Sequence, residues 1–505
     1  MRWCNSQLSL VTIAWLTTIP LAGCAPATFQ RALREAIVRS RVADPAARRT
    51  TSSSGLRLNA ALISDLDDAI VRKDSDKMRQ DAERVYRAAA ELAQTVTRRE
   101  IARLPLDERR KLGQEFDSAD STPALSERFD RYVAGVLEQD LRSIEQDSPT
   151  SLVRKLRALR RGVEPLPDDR GRLTRRLMLS WAALPTWIGL GMEEAKLAEK
   201  NAARIQKKFD RVAIWRPSAS TSGSQLERSA PVIVVEWPEH RSYAERDDRL
   251  GAVRLAREAG ALSVSIDPAT PEVYAYESLA KIRGRRYPQL VYVWWFPERP
   301  EMSRNDPAAG HIDGGMLRLT FDSRGRVALA ETSLNCGCGH QIFVSSDLEQ
   351  AAQEAFGAPL RDKRFSVEQH VPGKHDLSVI DTFDAPSDGA RPTMYLAAGY
   401  HEVCRLTFAD PSADAALRLV AESAYRVAAY DALDALPVES GVGSMFGADG
   451  LVHGAGRREG FLLAPTGMLS AGQPRKRGTH RIRWDDYLFD DPRLFERTLR
   501  LPPEF

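Results

Sequence analysis

The chain has 505 residues, 43% of them hydrophobic and 28% charged, with a formal net charge of +3. That length suits two or three domains, and that balance describes an ordinary folded protein, neither disordered nor multi-spanning. So small an excess of positive charge leaves no electrostatic footprint for a phosphate backbone, and no nucleic-acid partner is expected.

In chain order the first element is Arg2 followed by the apolar run Leu8–Leu21, shorter than the roughly 20 residues of a membrane span. Small residues then lead into Leu21-Ala22-Gly23-Cys24. A cysteine stands where an ordinary secretory signal would end in Ala-x-Ala. Residues 1–24 resemble the precursors of bacterial lipoproteins, in which the lipobox cysteine is diacylated, exposed by cleavage and acylated on its new amino end. The resemblance implies a signal peptide over 1–23, lipidation of Cys24 and a membrane partner through that lipid. Ala25 stands where Asp would imply inner-membrane retention, so the implied address is the outer membrane of the cell envelope, facing the periplasm or the surface.

The remainder reads as α+β: a helical N-terminal region followed by a mixed, β-rich C-terminal domain. A tether and first helix occupy 24–57 and a helical region 58–210. Within it Leu62, Leu66 and Ile70, then Met78, Ala82, Val85, Ala89, Leu92 and Val96, recur at three- and four-residue steps. Thr122-Pro123 reads as a cap with proline in the first turn, followed by a stripe of Leu125, Phe129, Tyr132, Val136, Leu141 and Ile144. The opposite faces are dense in charge: a solvated bundle face, or an arm that docks another envelope protein. Leu177–Met192 carries no charge but is short and broken by Pro185, so it reads as a buried or membrane-surface helix.

The Ser-rich stretch from Pro217 marks a linker over 211–229. From 230 to 505 the period shortens to that of strands: Val232–Trp237, Leu290–Phe296, Met316–Phe321, Val327–Ala330, Gln341–Val344 and Met394–Ala398. Asp322-Ser-Arg-Gly325 joins two of them as a hairpin turn, and Leu290–Phe296, apolar on both faces, reads as a central strand. Ser346–Phe356 reads as a helix ended by Gly357.

Chemistry concentrates in Asn335-Cys336-Gly337-Cys338-Gly339-His340 and, some sixty residues on, His401-Glu402-Val403-Cys404. Cys336, Cys338, His340, His401 and Cys404 offer three sulfurs and two imidazoles, a first shell that suits zinc or copper. His311, Asp313 and His375-Asp376 are spares. In an oxidising compartment the same cysteines also suit a disulfide, Cys404 with Cys336 or Cys338. A third reading is redox or nucleophilic thiol chemistry, because a C-x-C disulfide closes a small, reducible ring. C-x-C-x-H is neither the usual C-x₂₋₄-C zinc spacing nor the C-x-x-C-H of haem attachment.

Elsewhere the common signatures fail. Gly441-Val-Gly443 and Gly454-Ala-Gly456 carry a residue too many for a dinucleotide fingerprint, and no G-x-S-x-G or H-E-x-x-H occurs. Glu236, Glu239 and His240 form only a weak acid–base set. The basic run Arg475-Lys476-Arg477 with His480, Arg481 and Arg483 is followed by acids, and reads as a solvated hairpin rather than a phosphate site. The expected role is binding or structural, with the β domain stapled by a disulfide; the alternative is a metal-binding protein or metalloenzyme.

Overall fold

The computed structural model describes residues 25–50, 55–116, 121–164, 203–219, 223–258, 261–384, 390–439, 441–463, 470–483 and 485–505. Cys24 and Leu177–Met192 lie outside them. Among the described residues no helix is long and apolar enough to cross a membrane.

Among the described residues the N-terminal part is built on the helices α1 (Ala25–Arg39), α2 (Ala60–Val71), α3 (Ser75–Arg103), α4 (Leu106–Glu115), α5 (Thr122–Gln146) and α6 (Pro149–Arg161). Their starts follow from short polar side chains that satisfy otherwise orphaned amides. Asn59 accepts from the Leu62 amide at 2.9 Å, and Ser148 from that of Ser151 at 3.2 Å. Ser121, not Thr122, caps α5, accepting from the Ala124 amide while Thr122 and Pro123 begin the first turn. The apolar stripes meet in one core that includes Phe29, Leu66, Met78, Val85, Ala89, Phe129, Val133 and Leu156. Met78, Val85 and Ala89 are spaced as the sequence periodicity requires of one helix face.

Apart from short two-stranded ribbons, the strands are β1 (Arg211–Pro217), β2 (Val232–Glu236), β3 (Ala252–Glu258), β4 (Ala261–Asp267), β5 (Glu272–Ile282), β6 (Arg285–Arg299), β7 (Gly310–Phe321), β8 (Val327–Leu334), β9 (Gln341–Ser345), β10 (Val379–Phe383), β11 (Thr393–Leu396), β12 (Val403–Thr407) and β13 (Arg418–Ala429). Eleven of them run in the order β10-β9-β8-β7-β6-β5-β13-β1-β2-β11-β12, while β3 and β4 form a separate ribbon. Four pairings are parallel, so the sheet is mixed. The architecture is α+β, with the helices mainly N-terminal and the mixed sheet C-terminal.

The segment read as a linker therefore begins with a strand. β1 lies inside the sheet, between β2 and β13, because Val212 and Ile214 face one side and Ala213 and Trp215 the other, all buried. Its two-faced apolar alternation outweighs the polar residues that follow it.

β13 changes partner along its length. Residues 418–425 pair with β1 and residues 426–429 with β5. It joins a smaller sheet (β1, β2, β11, β12) to a larger one (β5 to β10), and side chains of both fill one core: Trp215, Val235 and Leu396 from the smaller, Tyr292, Trp294, Phe296, Leu317 and Phe343 from the larger. The odd residues of β6, Val291, Val293 and Trp295, point the other way, into a second core with Phe446, Phe489, Phe495 and Phe505. β6 is thus covered on both faces, as its sequence requires. The hairpin turn at Asp322–Gly325 joins β7 to β8, and a helix at Ser346–Phe356, α7, is capped by Ser345 and ends at Gly357.

The helical and β parts meet through buried charge. Lys476 Nζ lies 2.8 Å from Asp44 and 2.7 Å from Asp434. Lys281 pairs with Asp65 and Asp68, and Arg99 reaches Asp431 at 2.6 Å. The run expected as a solvated hairpin is instead interior, with Arg475 5% and Lys476 2% exposed. A buried ammonium is tolerated only with partners, and two carboxylates from distant segments supply them.

Candidate functional site

β8 ends at Leu334, and the chain turns through residues 335–340 before β9. The turn is fixed from three sides. The Asn335 amide donates to the Gly314 carbonyl at 3.0 Å, and Asn335 Nδ2 donates to the Trp294 carbonyl at 3.1 Å. The Arg475 amide donates to the Asn335 carbonyl at 3.0 Å, so the buried basic run buttresses this turn. Across the turn, the Leu334 amide donates to the Cys338 carbonyl at 2.9 Å, and the Gly337 amide to the Leu334 carbonyl at 2.8 Å.

Gly337 is required where it stands. Its φ is +95°, and a Cβ there would lie 1.9 Å from the Arg481 carbonyl oxygen. The tight turn brings the Cys338 amide to 3.3 Å from Cys336 Sγ. Cys336 is half-buried, Cys338 is exposed, and both are free thiols. A hydrogen bond from the Cys338 thiol, helped by that amide, holds Cys336 below the usual thiol range, while the same bond raises Cys338 well above it. The two act as one unit that loses a first proton readily and a second with difficulty. Arg299, Asp313 and Glu459 are near enough to act on the pair through their charges.

The imidazoles are turned elsewhere. His340 is buried with its Nε2 at 2.9 Å from Glu331, whose other oxygen takes the Arg318 guanidinium. Arg318 and Glu331 are cross-strand partners on β7 and β8, and the guanidinium lies 4.0 Å over the Phe489 ring. Burial opposes the charge on Glu331, but Arg318 and His340 outweigh it and hold the carboxyl below its usual range. Burial also dominates at His340 and lowers its pKa, so this imidazole stays neutral near pH 7.

His401 sits in the turn between β11 and β12 at a φ of +55°. Its Nδ1 is 2.8 Å from Asp313 and its Nε2 is 3.4 Å from Asp248, a distance for ion pairing rather than an aligned hydrogen bond. The ring stacks on Phe296 at 3.9 Å between centroids and 12° between planes. Phe296 and Asp313 are register partners on β6 and β7, so one rung of the sheet supplies both the platform and the acceptor. Burial opposes a charged ring here, yet the two carboxylates outweigh it and raise the pKa of His401. Asp248 is itself held by the Gly399 amide at 2.7 Å and Tyr243 Oη at 2.9 Å. Fully enclosed, this cage ties the end of the smaller sheet to the larger one.

Cys404 is separate again. The β11–β12 register shifts between Tyr395 and Leu396, which face Arg405 and Val403, leaving Cys404 as the extra residue of a bulge. It is buried with Phe209, Val212, Val234 and Tyr395, and burial raises its thiol to about 11. The expected disulfide from Cys404 to Cys336 or Cys338 is not formed: all three thiols are free, because Cys404 packs in an apolar cluster on the far face of the smaller sheet. Nor do the five residues expected as a zinc or copper shell converge. Each imidazole faces its own carboxylates, and among the described residues no three His, Cys, Asp or Glu side chains gather to hold a metal.

Of the spares, Asp313 becomes the partner of His401, His375 pairs with Asp486 at 2.7 Å, and the His311 carbonyl accepts from Arg457. Glu236 and Glu239 are taken by Lys207 and Arg211 rather than forming an acid–base pair. Sequence reasoning missed Asp248, Glu331 and Arg318. The last two carried a signal: Glu331 is the one charged residue of its strand run and Arg318 stands between Leu317 and Leu319, and each needs a partner. Asp248 carried none.

Compared with known proteins, the chain matches no family model, no curated protein and no solved structure.

Proposed function

We propose that this is an outer-membrane-tethered envelope lipoprotein with a binding or structural role, and that its reactive centre is the Cys336–Cys338 dithiol. The tether rests on the Leu21–Cys24 lipobox. The chemistry rests on one observation: two free thiols, one exposed, share a turn in which the Cys338 amide donates to Cys336 Sγ at 3.3 Å.

In thiol–disulfide exchange Cys336, as thiolate, attacks an incoming disulfide R–S–S–R′ and releases R–S⁻. Cys338 then gives up its proton and displaces R′–S⁻ from the mixed disulfide, closing the Cys336–Cys338 bond. Two electrons pass from the pair to the incoming disulfide, and the two thiol protons leave with the released thiolates. The rigid sheet ends beneath the turn keep the sulfurs paired while leaving Cys338 accessible. The same two sulfurs also present a soft-metal pair for copper(I) or zinc, with further ligands supplied by a partner.

The test is exposure of the native protein to oxidised glutathione, read by intact mass and thiol count. Ring closure leaves no adduct and removes two thiols, with Cys404 still reduced. Cys338→Ser should instead trap a stable glutathione adduct on Cys336. An adduct-free, fully reduced wild type would sink the exchange reading. Cys24→Ala tests the tether: it should abolish acylation and detergent-phase partitioning.

A further inference from the structure

A cleft of about 460 Å³ opens in the helical part, where the end of α2 and the start of α3 face α6. Its lining includes Arg72, Lys73, Arg154, Arg157 and Arg161 and, among the described residues, no carboxylate. Arg154, Arg157 and Arg161 are spaced i, i+3, i+7 along α6, so they form one stripe on one helix face. Like charges at that spacing repel and destabilise an isolated helix.

The neighbouring basic side chains of the same helix are treated differently. Lys155 pairs with Asp147 at 2.6 Å and Arg160 with Asp67 at 2.9 Å, and in the cleft Arg72 is held by Asp81. Lys73, Arg154, Arg157 and Arg161 are exposed, and among the described residues none of them forms an ion pair. Asp74, next to the cleft, turns its carboxylate to the amides of Asp76 and Lys77 as the cap of α3. Pro149 and Thr150, in the first turn of α6, complete the wall, which places the positive end of that helix at the cleft as well. Met78 and Val153 give it an apolar floor.

We infer that this cleft is a binding site for a phosphate-bearing ligand, its phosphate held by the Arg154–Arg157–Arg161 stripe and Lys73. Guanidinium groups on adjacent turns suit phosphate oxygens, which accept two N–H bonds from each. The chemistry is common to a lipid headgroup and to a soluble phosphate. The inference is independent of the dithiol.

The experiment uses the full chain in nonionic detergent, with phenylglyoxal modification of each arginine read by peptide mass spectrometry. The probes are inorganic pyrophosphate and micelles doped with phosphatidylglycerol, against micelles of phosphatidylcholine. Both probes bear phosphate, and the expected result is selective protection of Arg154, Arg157 and Arg161 by at least one. Protection by the doped micelles alone would identify a lipid headgroup as the source; protection by pyrophosphate alone, a soluble ligand. Direct titration should weaken by on the order of tenfold in an Arg154→Gln/Arg157→Gln variant, and not in Arg131→Gln, which lies outside the cleft. Both substituted side chains are exposed, so the fold should survive, and an unchanged circular dichroism spectrum checks it. Absence of protection by either probe, or equal binding by the double variant, would overturn the inference.

Discussion

Replacing Glu331 with alanine should be among the most damaging single changes in the sheet. Its side chain is fully buried and holds two partners: Arg318, itself only 2% exposed, and His340. Without the carboxylate, a guanidinium stays in the apolar space between β7, β8 and the Phe489 ring, bonded to the Phe489 carbonyl but without its ion-pair partner, with only the more distant charge of Asp490 to offset its own. Breaking a buried pair in this way costs about 3–5 kcal/mol, because the desolvation penalty of the surviving ion remains while its attraction is lost. Removing both charges is different. Arg318→Met with Glu331→Leu fills similar volume, leaves no ion behind and should recover most of the loss. The side chains gather in several separate hydrophobic cores, so a single melting temperature is a blunt readout. Hydrogen exchange of peptides covering β7 and β8 measures the local opening free energy instead. The single variant should lose protection by about two to three and a half orders of magnitude, at roughly 1.4 kcal/mol per tenfold. If the single variant retained wild-type protection, or if the double variant were no better than the single, the pair would not be an interior charge compensation.

Three further outcomes can be checked together. Burial pushes His480 down to about 4 from an ordinary 6.5. As pH falls below about 6.5 the unfolded imidazole takes up a proton that the folded one refuses, so stability declines towards pH 4 by up to about 3 kcal/mol; His480→Phe should flatten that limb in urea titrations, and an unchanged slope would contradict it. Gly337→Ala drives a Cβ into the Arg481 carbonyl and must move the turn, so exchange with oxidised glutathione should slow by at least about tenfold, while Cys404 remains unreactive. Cys404→Ser places a hydroxyl in an apolar cluster where the thiol reaches only the Glu402 carbonyl, at 3.7 Å; left unpaired it costs on the order of 1–3 kcal/mol, and melting that did not change would mean the hydroxyl reaches that carbonyl.

Much of the fold was legible because it depends on local periodicity. The helical stripe through Met78, Val85 and Ala89, the two-faced strand Leu290–Phe296, the Asp322–Gly325 turn and the Ser346–Phe356 helix all appear where their patterns placed them. Arg211–Pro217 was obscured by the Ser-rich residues after it, although Val212–Trp215 already alternated. The thiol turn was legible as a cluster, since Cys336, Cys338 and the glycines around them are close in sequence.

The chain by itself determined the composition of the site, and it carries the motif on which the proposed lipid anchor at Cys24 rests, for these depend on residues that are neighbours along the backbone. Only the tertiary structure decided the partners. His401 lies three residues from Cys404, yet it joins Asp248 and Asp313, because the β11–β12 turn aims its ring into the sandwich while the bulge aims Cys404 to the opposite face. Lys476 looked like part of a solvated run and is interior, because Asp44 and Asp434 reach it from two other segments. A charged side chain reports no more than its need for a partner. Which distant segment satisfies that need is fixed by packing, and packing is a property of the whole fold.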